Sequence, residues 1–149
     1  MSDTTYEVQL LGPCTVDSPL ALSTVMDDEI ANYTFEDERV LLDPTLGGIQ
    51  THDGPPQSFE MAGPREKLYF DPADVAAGVV TCGGLCPGLN TVVRTVAREL
   101  RHRYGVGRVL GFRYGYQGLT PEGEPPVELT DAYVDAIHHQ GGSVLGSSR

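Results

Sequence analysis

The chain has 149 residues, 40% of them hydrophobic, which is enough for one domain with a buried core. Its net charge of −11 argues against nucleic acid as the main partner, and no apolar run approaches the ~20 residues that span a bilayer. Because the first residues have neither the basic start nor the apolar segment of a signal peptide, we expect a cytoplasmic protein without a membrane partner.

The acidic residues are concentrated in the first half of the chain. Residues 1–75 carry 15 Asp and Glu against 3 Lys and Arg, whereas residues 76–149 carry 6 Asp and Glu against 7 Lys and Arg. Prolines interrupt the first half throughout, so it is predicted to form an irregular acidic N-terminal arm with short strands at 6–11, 39–42 and 67–70. The second half is predicted to form a separate α/β domain.

Strand and helix patterns alternate in the second half. Continuous small and β-branched residues predict buried strands, apolar residues three and four positions apart predict helices, and Thr130 is a good helix N-cap. The predicted elements are a strand at 77–81, a helix at 90–103, a strand at 108–112, a loop at 115–126, a helix from 131 with Tyr133, Val134 and Ile137 inward, a stop at Gly141 and Gly142, and a strand at 143–146. This order predicts a Rossmann-like three-layer parallel sheet with helices on both faces.

The carboxyl ends of the predicted strands are the expected ligand site. Three segments should meet there, residues 81–90, 114–118 and 146–149. The first reads Thr-Cys-Gly-Gly-Leu-Cys-Pro-Gly-Leu-Asn, a glycine-rich turn between strand and helix, where N–H groups and the helix dipole attract an anion. The alternative is a tight turn that uses glycine only for its backbone freedom. The glycine spacing fits neither a dinucleotide fingerprint nor a P-loop.

Several side chains could serve an anionic ligand or have an ordinary structural role. Arg149 offers a planar fork to phosphate oxygens, or is a solvated residue. The stripe of Arg94, Arg98 and Arg101 on the first predicted helix is a solvated face, a second anion site or a subunit contact. Tyr116 could line a nucleotide cleft or be a half-buried aromatic.

The cysteines predict neither a disulfide framework nor a metal site. Cys82 and Cys86 are spaced C-x3-C, and no further Cys or His lies nearby to complete a zinc site. Small side chains that fit a tight loop are the favoured interpretation, so no metal ligand is predicted in the chain. His138 and His139 are interpreted as structural residues at a helix end.

Four segments resemble the 6-phosphofructokinase family, in the plant- and protist-like form that also occurs in some bacteria. In chain order they are AGPREKLYF at 62–70, GVVTCGGLCPGLN at 78–90, the RYG and GFRYGYQGL motifs within 104–119, and HHQGGSVLGSSR at 138–149. The resemblance is weak before residue 60. It identifies residues 76–149 as the start of a phosphofructokinase nucleotide-binding domain, incomplete within this chain.

The resemblance implies a kinase of glycolysis that transfers a terminal phosphoryl group to the 1-hydroxyl of fructose 6-phosphate with Mg²⁺. By resemblance, Gly83 and Gly84 would approach the donor phosphates through their backbone, Tyr116 would lie near the nucleotide, and Arg149 would bind phosphate oxygens. Arg94 and Arg98 align with positions that bind a nucleotide effector in the short bacterial members, or they form an interface.

The family's enzymes are several hundred residues long. The resemblance places the Mg²⁺-holding GGDG or GGDD segment and the Thr-Ile-Asp-Asn-Asp segment with the catalytic base after Arg149. We therefore expect no catalytic residue in this chain, which would be the N-terminal part of a homo-oligomeric 6-phosphofructokinase and inactive alone. Fructose 6-phosphate and ATP are the expected substrates of the complete enzyme. The alternatives are pyrophosphate as donor, or a non-catalytic nucleotide-binding or subunit-interaction fragment.

Overall fold

The computed structural model describes residues 8–50 and 56–148, and its backbone divides into two compact units between Tyr69 and Phe70. The elements of the first unit are β1 (Val16–Asp17), β2 (Arg39–Leu41), α1 (Leu46–Gln50), β3 (Ser58–Glu60) and β4 (Lys67–Leu68). β1 pairs with β4 and β2 pairs with β3, both antiparallel. The first unit is therefore a set of short strand pairs joined by irregular chain.

Arg65 forms hydrogen bonds to two irregular segments of the first unit. Arg65 Nη1 donates to the carbonyl oxygens of Thr34 and Phe35, at 3.1 and 2.6 Å. Its Nη2 donates to the carboxylate of Glu60 at 3.0 Å and to the carbonyl of Met61 at 2.6 Å. These bonds replace the regular backbone pairing that the prolines prevent.

The strand predictions for the first half are confirmed in part. The strands expected at 39–42 and 67–70 are present as β2 and β4, each shortened at its C-terminal end. Of the strand expected at 6–11, residues 6 and 7 lie outside the described residues, and residues 8–11 are not in a strand. That part of the prediction is wrong, and the first strand begins only after Gly12 and Pro13, which interrupt extended pairing.

The second unit follows the predicted alternation of strand and helix. Its elements are β5 (Ala76–Val80), α2 (Leu89–Arg98), a π-helical continuation (Glu99–Arg103), β6 (Arg108–Phe112), a 3₁₀ turn (Gly115–Leu119), β7 (Val127–Glu128), α3 (Asp131–Val134) and a second 3₁₀ turn (Ile137–His139). β5 and β6 are parallel, with Gly78 opposite Leu110. β7 runs antiparallel to β6 on its other side, with Val127 opposite Gly111.

The core of the second unit lies between α2, α3 and one face of this sheet. Its buried members are Val93, Ala97, Val106, Val109, Leu129, Val134, Ile137 and Leu145. Ala77 and Val79 pack on the same face, whereas Leu110 and Phe112 point to the opposite face and are half-buried. The apolar spacing of the helices thus placed Val134 and Ile137 in the core as predicted.

The α/β class and the parallel first pair of strands are confirmed, and Thr130 is the N-cap of α3 as expected. The strand predicted at 143–146 is wrong. There the chain turns, because Gly146 has a φ of +67° and its N–H bonds to the Ser143 carbonyl at 3.1 Å. In place of a paired strand there is one parallel bridge, between Ser148 and Cys82, two residues after the end of β5.

Candidate functional site

The glycine loop (residues 82–88) follows directly from the carboxyl end of β5. Gly83 and Gly88 both have a φ of +85°, a conformation that costs little only for glycine. Gly88 is also the N-cap of α2 and supplies no side-chain hydrogen bond to its first turn. The loop therefore ends at the uncapped, partially positive end of a ten-residue helix.

Three consecutive backbone N–H groups of the loop are available to a ligand. Those of Gly84, Leu85 and Cys86 make no hydrogen bond within residues 8–50 and 56–148, and all three residues are exposed. N–H groups of this kind, next to a helix N-terminus, favour an anion because both contribute partial positive charge. We call these three N–H groups the amide cradle.

Neither the backbone conformation nor the packing around position 84 requires a glycine there. The positive φ angles of the loop belong to Gly83 and Gly88, and a Cβ on Gly84 would have no heavy atom within 4 Å. The tight-turn alternative therefore accounts for two of the loop's glycines but not for Gly84. A glycine that neither a turn nor packing requires is consistent with close approach of a ligand to the backbone.

The three segments predicted to meet at the strand ends do meet. Gly83 N donates to the Ser148 carbonyl at 3.2 Å, and Tyr114 N donates to the Leu145 carbonyl at 2.8 Å. The loop after β5, the turn after β6 and residues 145–148 are therefore neighbours. Arg149, the predicted phosphate ligand, lies outside the described residues, so its role stays a prediction.

Tyr116 lies on the 3₁₀ turn that follows β6. Tyr116 is 71% exposed. It is therefore more exposed than the alternative interpretation, a half-buried aromatic, would require. The residue before this turn, Tyr114, has a φ of +56°, which is uncommon for a side chain other than glycine. Strained residues of this kind concentrate at ligand sites.

The arginine stripe contacts three acidic residues in or next to β7 and α3. Arg94 Nε donates to the Asp135 carbonyl at 3.2 Å, and Arg98 lies 4.0 Å from Asp131 and 3.9 Å from Asp135. Arg101 lies 3.7 Å from a carboxylate oxygen of Glu128. The arginine side chains are partly exposed and the ion pairs are long, so these contacts add little stability. Effector binding by Arg94 and Arg98 would have to compete with them.

Replacing His102 with alanine is expected to raise the pKa of Asp131. His102 Nε2 lies 2.7 Å from Asp131 Oδ1, and this hydrogen bond, with the nearby arginines, holds the pKa of the Asp131 carboxyl below its ordinary 3.8. Since the folded-state pKa is lowered, the contact stabilises the fold fully above 3.8 and is lost as pH falls toward the lowered pKa. NMR titration of the Asp131 carboxyl carbon measures the change, and His139→Ala is the control that should leave it unaltered.

Cysteine and acidic side chains do not gather into a metal site in the described part of the chain. Cys82 and Cys86 are free and exposed on the glycine loop. Residues 8–50 and 56–148 contain no group of three or more His, Cys, Asp or Glu arranged to hold a metal ion.

The sequence motifs did not identify the side chains that brace the site. Asn90, at the end of the glycine-rich motif, is 2% exposed and bonds to the backbone of Gln140 and Val144. The Ser147 hydroxyl donates to the Gly83 carbonyl in the glycine loop, and the Ser148 hydroxyl donates to the Tyr114 carbonyl at the turn after β6. The sequence signal for these roles was a polar residue next to apolar ones in the segments around Asn90 and Ser147. Their hydrogen-bond partners could not be predicted, because they lie at least fifty residues away.

The second unit is a mixed α/β domain whose glycine loop, at the carboxyl end of a parallel strand, presents backbone N–H groups to an anion. A sequence model of the family described as Phosphofructokinase matches residues 76–149. The ATP-dependent 6-phosphofructokinase of Amycolatopsis methanolica is 50% identical to this chain over 146 residues, which are 95% of the chain and 32% of that protein. The chain belongs to the phosphofructokinase family through residues 76–149.

Other relatives bear the same description. The ATP-dependent 6-phosphofructokinase of Borreliella burgdorferi is 37% identical over 145 residues, 97% of this chain and 32% of that protein. ATP-dependent 6-phosphofructokinase 7 of Arabidopsis thaliana is 50% identical over 91 residues, 61% of the chain and 18% of that protein. The chain thus spans about a third of the two bacterial relatives, and their similarity extends into the first unit, where the motifs alone were weak. None of the described helices is long and apolar enough to cross a membrane.

Proposed function

We propose that this chain forms the donor-phosphate side of an ATP-dependent 6-phosphofructokinase, which transfers the terminal phosphoryl group of ATP to the 1-hydroxyl of fructose 6-phosphate. The observation that carries the proposal is the amide cradle of Gly84, Leu85 and Cys86 at the start of α2. The names of the relatives support ATP rather than pyrophosphate as the donor.

The cradle would act through hydrogen bonds and the helix dipole. Backbone N–H groups on exposed residues, without a partner among the described residues, can bind phosphate oxygens, and donors of this kind stabilise charge that develops during phosphoryl transfer. Arg149 follows Ser148 directly and would add a bidentate guanidinium. Tyr116, exposed on the neighbouring turn, would lie against the nucleotide.

Mg²⁺ neutralises phosphate charge in such reactions and prefers carboxylate oxygens as ligands. The cradle contains N–H donors only, and the described residues contain no group of three or more His, Cys, Asp or Glu that could hold a metal ion. We propose that the Mg²⁺ ligands, and the base that activates the sugar hydroxyl, belong to the part of the relatives' length that this chain does not span. The complete enzyme would be a cytoplasmic homo-oligomer, and its net charge of −11 in this part supports small-molecule rather than nucleic-acid partners.

A chimaera tests this function. The chain replaces the matching third of the Amycolatopsis methanolica relative, and turnover of fructose 6-phosphate is followed in a coupled assay with ATP or with pyrophosphate. We expect activity with ATP and none from the 149-residue chain alone. A chimaera that unfolds cooperatively and binds ATP but never turns over would favour the non-catalytic alternative, and activity with pyrophosphate only would overturn the donor assignment.

A further inference from the structure

Residues 147 and 148 hold both polar groups of the Gly83 backbone. The Ser147 hydroxyl donates to the Gly83 carbonyl oxygen, and Gly83 N donates to the Ser148 carbonyl at 3.2 Å. Gly83 is the residue immediately before the amide cradle and has a φ of +85°. The direction in which the chain enters the cradle is therefore set by contacts to a segment more than sixty residues away.

The holding segment is itself anchored. The Ser148 hydroxyl donates to the Tyr114 carbonyl, at the turn after β6. A Cβ on Gly115 would lie 3.1 Å from both the carbonyl and hydroxyl oxygens of Ser148, and 3.2 Å from the Cys82 sulfur. The three segments are in close contact here, so the position of Ser148 has little freedom.

We propose that Ser147 and Ser148 are positioning residues that clamp Gly83, Ser147 through its hydroxyl and Ser148 through its carbonyl oxygen, and so direct the N–H groups of Gly84, Leu85 and Cys86 at the donor phosphate. The inference rests on the proposed function, because it names what holds its cradle. Each hydroxyl proton is used on a backbone carbonyl of the chain, so neither residue needs to touch the ligand.

The clamp matters because the cradle is otherwise unsupported. Its three residues are exposed, and their N–H groups have no partner among the described residues. A glycine-rich segment of this kind has many accessible conformations, and binding a phosphate would require ordering them. A clamp that restricts Gly83 in advance reduces that cost and raises affinity.

The test compares ATP affinities of variants of the 149-residue chain by isothermal titration calorimetry. Ser147→Ala is expected to weaken ATP binding about fivefold, the equivalent of one lost neutral hydrogen bond. Ser147→Thr keeps a hydroxyl and should restore affinity. Ser58→Ala is the matched control, since the Ser58 hydroxyl accepts a hydrogen bond from Arg39 in the first unit, and this variant should bind ATP as the unaltered chain does.

A second measurement distinguishes the clamp from the function on which it rests. The heteronuclear ¹⁵N NOE of Gly84 and Leu85 should fall in Ser147→Ala and recover in Ser147→Thr, with or without ATP. Unchanged NOE values would overturn the clamp even if ATP binds. Loss of order without any ATP binding by the unaltered chain would support the clamp and contradict the proposed function.

Discussion

Replacing Asn90 with leucine is expected to lower the free energy of unfolding of the second unit by about 1–3 kcal/mol, because a buried amide loses its hydrogen bonds to two partly buried backbone groups. Asn90 is 2% exposed. Its Nδ2 donates to the Gln140 carbonyl at 2.9 Å, and its Oδ1 accepts from Val144 N at 2.8 Å. Leucine has a similar volume but can satisfy neither group.

Denaturant unfolding of the chain, followed by a probe in the second unit, measures this loss. Asn32→Leu is the matched control, because Asn32 also bonds to backbone carbonyls, at 2.8 and 3.4 Å, but is partly exposed and lies in the first unit. Water can replace its bonds, so its effect should be smaller. A loss below about 1 kcal/mol for Asn90→Leu would mean that the turn at 140–144 finds other partners or relaxes toward solvent.

The Asn90 contacts also connect stability with the site. They tie the first turn of α2 to the turn that leads into residues 145–148, which in turn hold Gly83. The helix that supplies the positive dipole end and the segment that clamps the loop are therefore fixed relative to each other by one side chain. Asn90→Leu should for this reason weaken ATP binding as well.

The regular elements of the second unit could be predicted from the sequence because they depend on local pattern. Buried strands such as β6 need only a continuous apolar run, and α2 needs only apolar residues at helical spacing. Thr130 was likewise recognisable, since an N-cap bonds to a backbone group three residues away. Each of these features is decided within a few residues of chain.

The errors arose where distant or competing contacts decide the structure. Residues 143–146 look like a strand, but the Ser143 hydroxyl bonds to Leu145 N, and Gly146 turns the chain. β7 has only two residues and no apolar alternation, so nothing in its sequence distinguishes it from a loop. The partners of Asn90 and Ser147 are backbone groups at least fifty residues away, which no local pattern reveals.

Replacing Gly84 with alanine is expected to weaken ATP binding about 10–100-fold, the loss of one or two charge-assisted hydrogen bonds, while leaving the fold intact. A Cβ at this position meets no heavy atom within 4 Å, and φ is not positive. The free energy of unfolding of the variant should therefore lie within about 0.5 kcal/mol of that of the unaltered chain. The methyl group would occupy space that a phosphate needs in order to reach the N–H groups of Gly84 and Leu85.

Gly83→Ala is the matched comparison, because it adds the same methyl group one residue earlier. Gly83 has a φ of +85°, so alanine should cost about 1–2 kcal/mol of stability there through backbone strain. Calorimetry with ATP and thermal unfolding of both variants separate the two effects, and the KM for ATP in the chimaera provides an independent measure. If Gly84→Ala binds ATP as tightly as the unaltered chain, the donor phosphate does not approach the backbone at Gly84, and the glycine loop is a turn and no more.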